Sequence, residues 1–192
     1  MVFTFFHYTI PLLLHKAFKQ RTCLPFLGLT AMVQDLEVVL MFFMGIPWPY
    51  NRGILHSLLG AFTIAPFLAL LLTPLWIFLA KVLFRIEYNL RFNSINIPLG
   101  LLCSLSHVLI DATHHPYNPL LMPFIQEGFN KLILFNNSSK ASLFMQSLFA
   151  AIMTIILILK ARKSSSFKAF IESILINWGE LFKNAKAYIL KK

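Results

Sequence analysis

Residues 54–84 read ILHSLLGAFTIAPFLALLLTPLWIFLAKVLF, with one lysine near the end and no acidic residue. A run of this length more than crosses a bilayer, since about 20 apolar residues suffice for a membrane helix. Pro66 and Pro74 lie inside it, so a kinked and tilted helix is expected rather than a straight one. Working outward, three further stretches are long and apolar enough to span: Leu24 to Gly45, Ile95 to Thr113 and Ala141 to Leu159. The opening stretch from Val2 to Phe18 is shorter and is interrupted by His7 and Pro11, which fits a partial or re-entrant helix. The expected fold is all-α: a polytopic membrane domain over residues 1–160 with four or five membrane helices, followed by a C-terminal amphipathic helix.

Composition agrees. Of the 192 residues, 58% are apolar and 12% charged, about half the charge of an ordinary soluble domain. That excludes a soluble globular protein and a disordered one. Cys23 and Cys103 are the only cysteines. One falls in a basic loop and one inside a helix, so no disulfide framework is expected. A net charge of +10 would suggest nucleic acid if it formed a patch on a polar surface. Here the basic residues sit between apolar runs, and membrane lipids, not nucleic acid, are the expected partner. The N-terminal stretch has no basic residue before its apolar part and no small-residue cleavage site, so it does not read as a removable signal peptide.

Lys and Arg mark cytoplasmic loops. Alternating sides along the spans puts Lys16, Lys19, Arg21, Lys81, Arg85, Arg91 and the basic residues from Lys160 to Lys192 on one side. Only Arg52, Lys131 and Lys140 fall on the other. The expected protein is therefore a multi-pass cell-membrane protein with a cytoplasmic C-terminus. In residues 161–192, apolar positions from Phe167 to Ile189 recur at helical spacing, with Lys168, Glu172, Glu180, Lys183 and Lys186 opposite. This basic amphipathic tail suits a helix lying in the membrane interface, and equally one packed on the bundle or on a second copy.

Three of the seven acidic residues, Asp35, Glu37 and Asp111, lie in or at the end of expected membrane helices. Each ionised carboxylate near a helix centre costs about 2.5 to 3.5 kcal/mol, so they need partners. Histidines supply them: His7, His56, His107, His114 and His115 all lie in or beside expected helices and, by the topology above, near one membrane face. Only His15 falls toward the other. His107, Asp111 and His114 stand at i, i+4 and i+7, within about 60° of one another on a helix. Asp35 and Glu37 are about 200° apart and cannot both face one point unless the helix distorts. Asp35 is the expected inward-facing acid and Glu37 its neighbouring support. Neutral imidazole with carboxylate is a ligand set for zinc and related divalent ions. The alternative is a hydrogen-bonded His and carboxylate network that fixes helix packing.

Four short motifs occur in order: Phe3-Thr4-Phe5-Phe6-His7, Gln34-Asp35-Leu36-Glu37, Arg52-Gly53-Ile54-Leu55-His56-Ser57-Leu58-Leu59-Gly60 and Ser106-His107-Val108-Leu109-Ile110-Asp111-Ala112-Thr113-His114. The set resembles the domain-of-unknown-function 4184 family, small polytopic proteins similar to the membrane-bound metal-dependent hydrolases, over about residues 1 to 125. Gln34 stands where that family carries proline. His107 and Asp111 also match a spacing found in helical zinc-dependent enzymes of the phospholipase C type. The resemblance implies a divalent metal, zinc by its ligands, held by His7, His56, His107 and Asp111. Asp35 would orient or deprotonate a metal-activated water for attack on an ester or phosphoester. His114 would serve as an extra ligand or as the acid for the leaving group, with Glu37 and Ser106 supporting the ligands. The expected activity is metal-dependent hydrolysis of a lipid or other ester at the non-cytoplasmic face. The alternatives are a transporter or proton relay, and a scaffold without catalysis. His115-Pro116-Tyr117-Asn118-Pro119 should stop the preceding helix, and the loop to Lys140 carries enough apolar residues to lie over the outer face as a lid or interfacial helix.

Overall fold

The computed structural model describes residues 4–18, 21–86 and 92–176, and among these every regular element is helical. In chain order they are α1 (Thr4–His7), α2 (Thr9–Ala17), α3 (Leu24–Met32), α4 (Asp35–Phe43), α5 (Leu58–Phe62), α6 (Ile64–Phe84), α7 (Asn96–Ala112), α8 (Ser138–Lys163) and α9 (Phe167–Leu175). Short 3-10 turns at Ile54–His56 and Leu134–Asn136 precede α5 and α8.

The molecule exposes many large apolar side chains and buries a cluster of polar ones beside its apolar core. Phe42, Phe43, Phe67, Phe78, Leu83 and Leu143 are exposed, whereas His7, His56, His107, Asp111, His114 and His115 are buried. Water penalises that exterior and lipid does not. Two helices, α6 and α8, are long and apolar enough to cross a membrane; α3 and α4 make a third span if the bent pair is counted as one. α7 is apolar but shorter.

α3 is the hub. Leu24, Phe26, Leu27, Thr30 and Ala31 are all buried, and the helix packs against α2, α6 and α7. Cys23, Phe26, Leu27 and Ala31 form one core with Ala69 of α6 and Leu99 and Cys103 of α7; both cysteines are free. α6 buries Ala65, Ala69, Thr73 and Ala80, small residues that let membrane helices approach closely. α8 turns Ala141, Met145, Phe149, Met153, Ile156 and Lys160 inward, a stripe with helical spacing.

Two stretches differ from their sequence reading. The run from Ile54 to Phe84 is not one kinked helix: it breaks at Ser57 and Thr63 into a 3-10 turn, α5 and α6. Pro66 falls in the first turn of α6, where a missing N–H costs nothing. Val33 and Gln34 interrupt the stretch from Leu24 to Gly45 with a bend of 44°. The opening stretch is two short helices broken at Tyr8, beside the interruption expected at His7, whereas Pro11 lies within α2 and does not break it. Of the tail, α9 packs on α6 and α8, burying Ala169, Ser173 and Ile174, and Lys160 donates from its Nζ to the Ser173 carbonyl. So the bundle-packed alternative holds over Phe167–Leu175; residues 177–192 lie outside the described residues.

Candidate metal centre

Asp111 organises the site from the last turn of α7. Its Oδ2 faces His56 Nε2 and His107 Nε2, each at 3.7 Å, and its Oδ1 faces His7 Nε2 at 3.4 Å, His114 Nε2 at 3.8 Å and His115 Nε2 at 3.9 Å. Asp35 Oδ1 lies 3.8 Å from His56 Nε2 and 3.7 Å from His107 Nε2. Two lobes result, joined through one carboxylate: Asp35, His56 and His107 on the Oδ2 side, and His7, His114 and His115 on the Oδ1 side. Asp35, His56 and His107 could together hold a metal ion, as could Asp111, His114 and His115, with ligand atoms within 4.8 Å of one another in each group. His7, His107 and Asp111 form a third such group, but His107 has a single Nε2 lone pair and can serve only one ion at a time.

The ring orientations follow from the opposite nitrogens. His107 Nδ1 lies 2.7 Å from the Ala31 carbonyl and His114 Nδ1 lies 2.8 Å from the Ile110 carbonyl. A carbonyl can only accept, so both Nδ1 atoms carry the proton and, in the neutral ring, both Nε2 atoms present lone pairs. His56 Nδ1 makes the same kind of bond, 3.0 Å to Glu37 Oε2. Such outer bonds are how proteins hold metal-binding histidines. Burial pushes the His114 and His115 imidazoles below their usual range, which keeps them neutral.

Inside the cluster, Nε2 of His56, His107, His114 and His115 and Oδ2 of Asp35 are buried without a hydrogen-bond partner. Separations of 3.7–3.9 Å are too long for hydrogen bonds. They sit a few tenths of an ångström beyond the edge of a tetrahedral zinc shell, about 3.3 Å for ligands at about 2.05 Å. Lone pairs converging with no proton between them repel one another, and a cation removes that repulsion. Charge points the same way: with the imidazoles neutral, Asp35, Glu37 and Asp111 against Arg52 leave two negative charges uncompensated. The residues fit a divalent ion better than a self-satisfied network.

Local structure explains how distant segments meet. At the break after Met32, the Glu37 amide donates to Gln34 O and the Leu36 amide to Val33 O, in place of regular α-helical bonding. The Ala31 carbonyl, which a continuous helix would spend on the residue 35 amide, is free to hold His107. The bend needs no proline: Gln34 Nε2 donates to Ser104 Oγ at 2.7 Å and to the Ser104 carbonyl at 3.2 Å, tying the break to α7. It is also the distortion that lets Asp35 and Glu37 serve one site. Glu37 accepts from the Gly53 and Leu55 amides at 2.8 and 3.1 Å as well as from His56. A Cβ on Gly53 would lie 2.8 Å from Glu37 Oε1, so only glycine lets the strap come this close. Ser57 caps α5 by accepting from the Gly60 amide at 3.0 Å.

The structure therefore brings together His7, Asp35, Glu37, His56, His107, Asp111 and His114. Ser106 is not among them: its Oγ donates to the Cys103 carbonyl of its own helix, 2.7 Å away. Sequence reasoning missed two residues. Arg52, read only as an outer-loop charge, is buried with Nε 3.3 Å from Asp111 Oδ2. His115, counted among the histidines of that face but left out of the expected ligand set, joins the second lobe. Arg52 opens the Arg-Gly-Ile-Leu-His motif, and an arginine four residues before a candidate ligand was the available signal. The loop after α7 covers the site end of the bundle as irregular turns, with Leu120 packed on Ala61, Val108 and Ala112. Comparison of the chain with protein families, with curated proteins and with solved structures finds no match.

Proposed function

We propose that the chain is a metal-dependent hydrolase of the cell membrane, acting on an ester or phosphoester at the non-cytoplasmic face, and a relative of the domain-of-unknown-function 4184 family. Four or five segments would cross the bilayer, counting α7 and the opening pair with the longer helices, and the C-terminus would be cytoplasmic. One observation carries this reading: buried Nε2 atoms of four histidines converge on Asp111 with no hydrogen-bond partner. Imidazole-rich ligand sets favour zinc among common divalent ions. When bound, such an ion supplies Lewis acidity and a water that ionises near neutral pH.

The chain's own residues do the rest. Asp35 has its Oδ2 unbonded and in position to take a proton from the attacking water. Glu37 holds His56 through Nδ1 and is itself held by two backbone amides. Arg52 orients Asp111 and offsets part of its charge. His114 stands on the opposite side of Asp111 from Asp35, its Nε2 lone pair available as a further ligand. Transport or proton relay would call for polar groups leading away from the cluster. Thr73 is spent on the Ala69 carbonyl and Ser104 on Gln34, which favours hydrolysis. Metal analysis of detergent-purified protein tests the reading. Stoichiometric metal in the wild type, reduced in His56→Ala and Asp111→Ala while helicity is retained, supports it; metal-free wild type after growth and purification with added zinc overturns it.

A further inference from the structure

Beside the second lobe lies a cavity of about 310 Å³ lined by His114, His115, Trp48 and, from α8, Ser138, Ser142 and Gln146. The three α8 residues stand at i, i+4 and i+8 and so form one stripe of that helix. We propose that this cavity receives the phosphoryl group of the substrate, so that of the two ester classes the enzyme takes phosphoesters. The inference rests on the metal-dependent hydrolase reading and narrows it.

Three observations converge. First, the cavity sits at the N-terminus of α8, a helix of 26 residues. Asn137 caps that end by accepting from the Lys140 amide at 3.0 Å. The Ser138 and Ser139 amides have no acceptor within the helix, and together with the helix dipole they favour an anion. Second, His114 and His115 are buried, line the cavity, and have Nε2 atoms without hydrogen-bond partners. A ligand placed there meets the ion-binding lobe directly. Third, no acidic residue lines the cavity, while hydroxyls of Ser138, Ser139 and Ser142 offer further donors. A carboxylic ester carries no charge and gains little from the positive end of a helix. A phosphoryl group carries one or two negative charges and several acceptor oxygens, which use the amides and hydroxyls together.

Trp48 also lines a second, apolar trough of about 790 Å³ with Val38, Val39, Phe42, Phe43 and Pro47. A phosphoryl head in the polar cavity could thus continue into an acyl chain along α4, or belong to a water-soluble phosphoester.

The experiment uses the full chain in detergent, loaded with zinc, with metal content measured alongside. Titration with inorganic phosphate should show saturable binding, and Ser142→Glu should weaken it at least about tenfold, because the new carboxylate stands beside the anion. Metal content should not change, since Ser142 is not a ligand. Gln146→Glu provides a second variant should the first fold poorly. Competition by glycerol phosphate and by micellar lysophosphatidic acid separates the sources: a stronger effect of the lipid, lost in Trp48→Ala, assigns an amphiphile, and equal effects assign a soluble phosphoester; both keep the phosphoryl site. Wild type that holds metal but binds no phosphate, or binds it as tightly after both substitutions, overturns the inference and leaves the hydrolase reading standing. Wild type without metal overturns the hydrolase reading itself.

Discussion

The two sides of Asp111 are built differently. On the Oδ2 side, both histidines are braced from behind: His107 by the Ala31 carbonyl and His56 by Glu37, which the Gly53 and Leu55 amides hold in turn. On the Oδ1 side, His114 is braced by its own helix at Ile110, and both His114 and His115 border a cavity. On the proposed reading the contrast separates two tasks: the braced lobe would hold a permanent ion, and the lobe that borders the cavity would meet substrate.

Substitutions break or sharpen that contrast in a definite order. Asp111→Asn reaches both lobes and should take bound metal from about two ions per chain to nearly none, as measured on purified protein by elemental analysis. His107→Ala should remove the braced lobe's ion alone, leaving about one, whereas His115→Ala should leave the braced ion and lose the other. If either single substitution empties both lobes, the two are not separable. Arg52→Met leaves Asp111 without its cation and should destabilise the metal-free protein by about 3–5 kcal/mol. Chemical denaturation should show a smaller loss in the zinc-loaded form, where the ion takes over the compensation. Glu37→Gln keeps the side-chain shape but weakens the brace, so zinc affinity should fall about 10–100-fold while saturating stoichiometry is unchanged. Ser106→Ala, which touches only its own helix, should alter stability by less than about 1 kcal/mol and leave metal binding as it was.

The candidate ligands at the end of α7 could be read directly, because His107 and Asp111 share a face at ordinary helical spacing and His114 follows in the turn just beyond the helix. His7 and His56 were identifiable as residue types in motifs, though their meeting depends on a short N-terminal helix and a strap that periodicity does not describe. The ambiguity over Asp35 and Glu37 had a physical cause: angular bookkeeping assumes a continuous helix, and the chain bends by 44° immediately before them. Arg52 was hidden because counting charges by loop treats every loop arginine as facing water, whereas here burial is repaid by Asp111. The membrane character came from composition alone. The number of crossings is less legible from hydropathy, since the run containing α5 and α6 is continuous in apolarity but broken in backbone, and α7 is short for a span.

The break between α3 and α4 sets local order against the ligand array. Replacing Val33 and Gln34 with strong helix formers would improve the segment by any propensity scale, yet a straightened segment would reclaim the Ala31 carbonyl and carry Asp35 away from His56 and His107. Variants selected only for thermal resistance should therefore drift toward repairing this defect and lose the candidate metal site as they do so, without a single candidate ligand having been replaced.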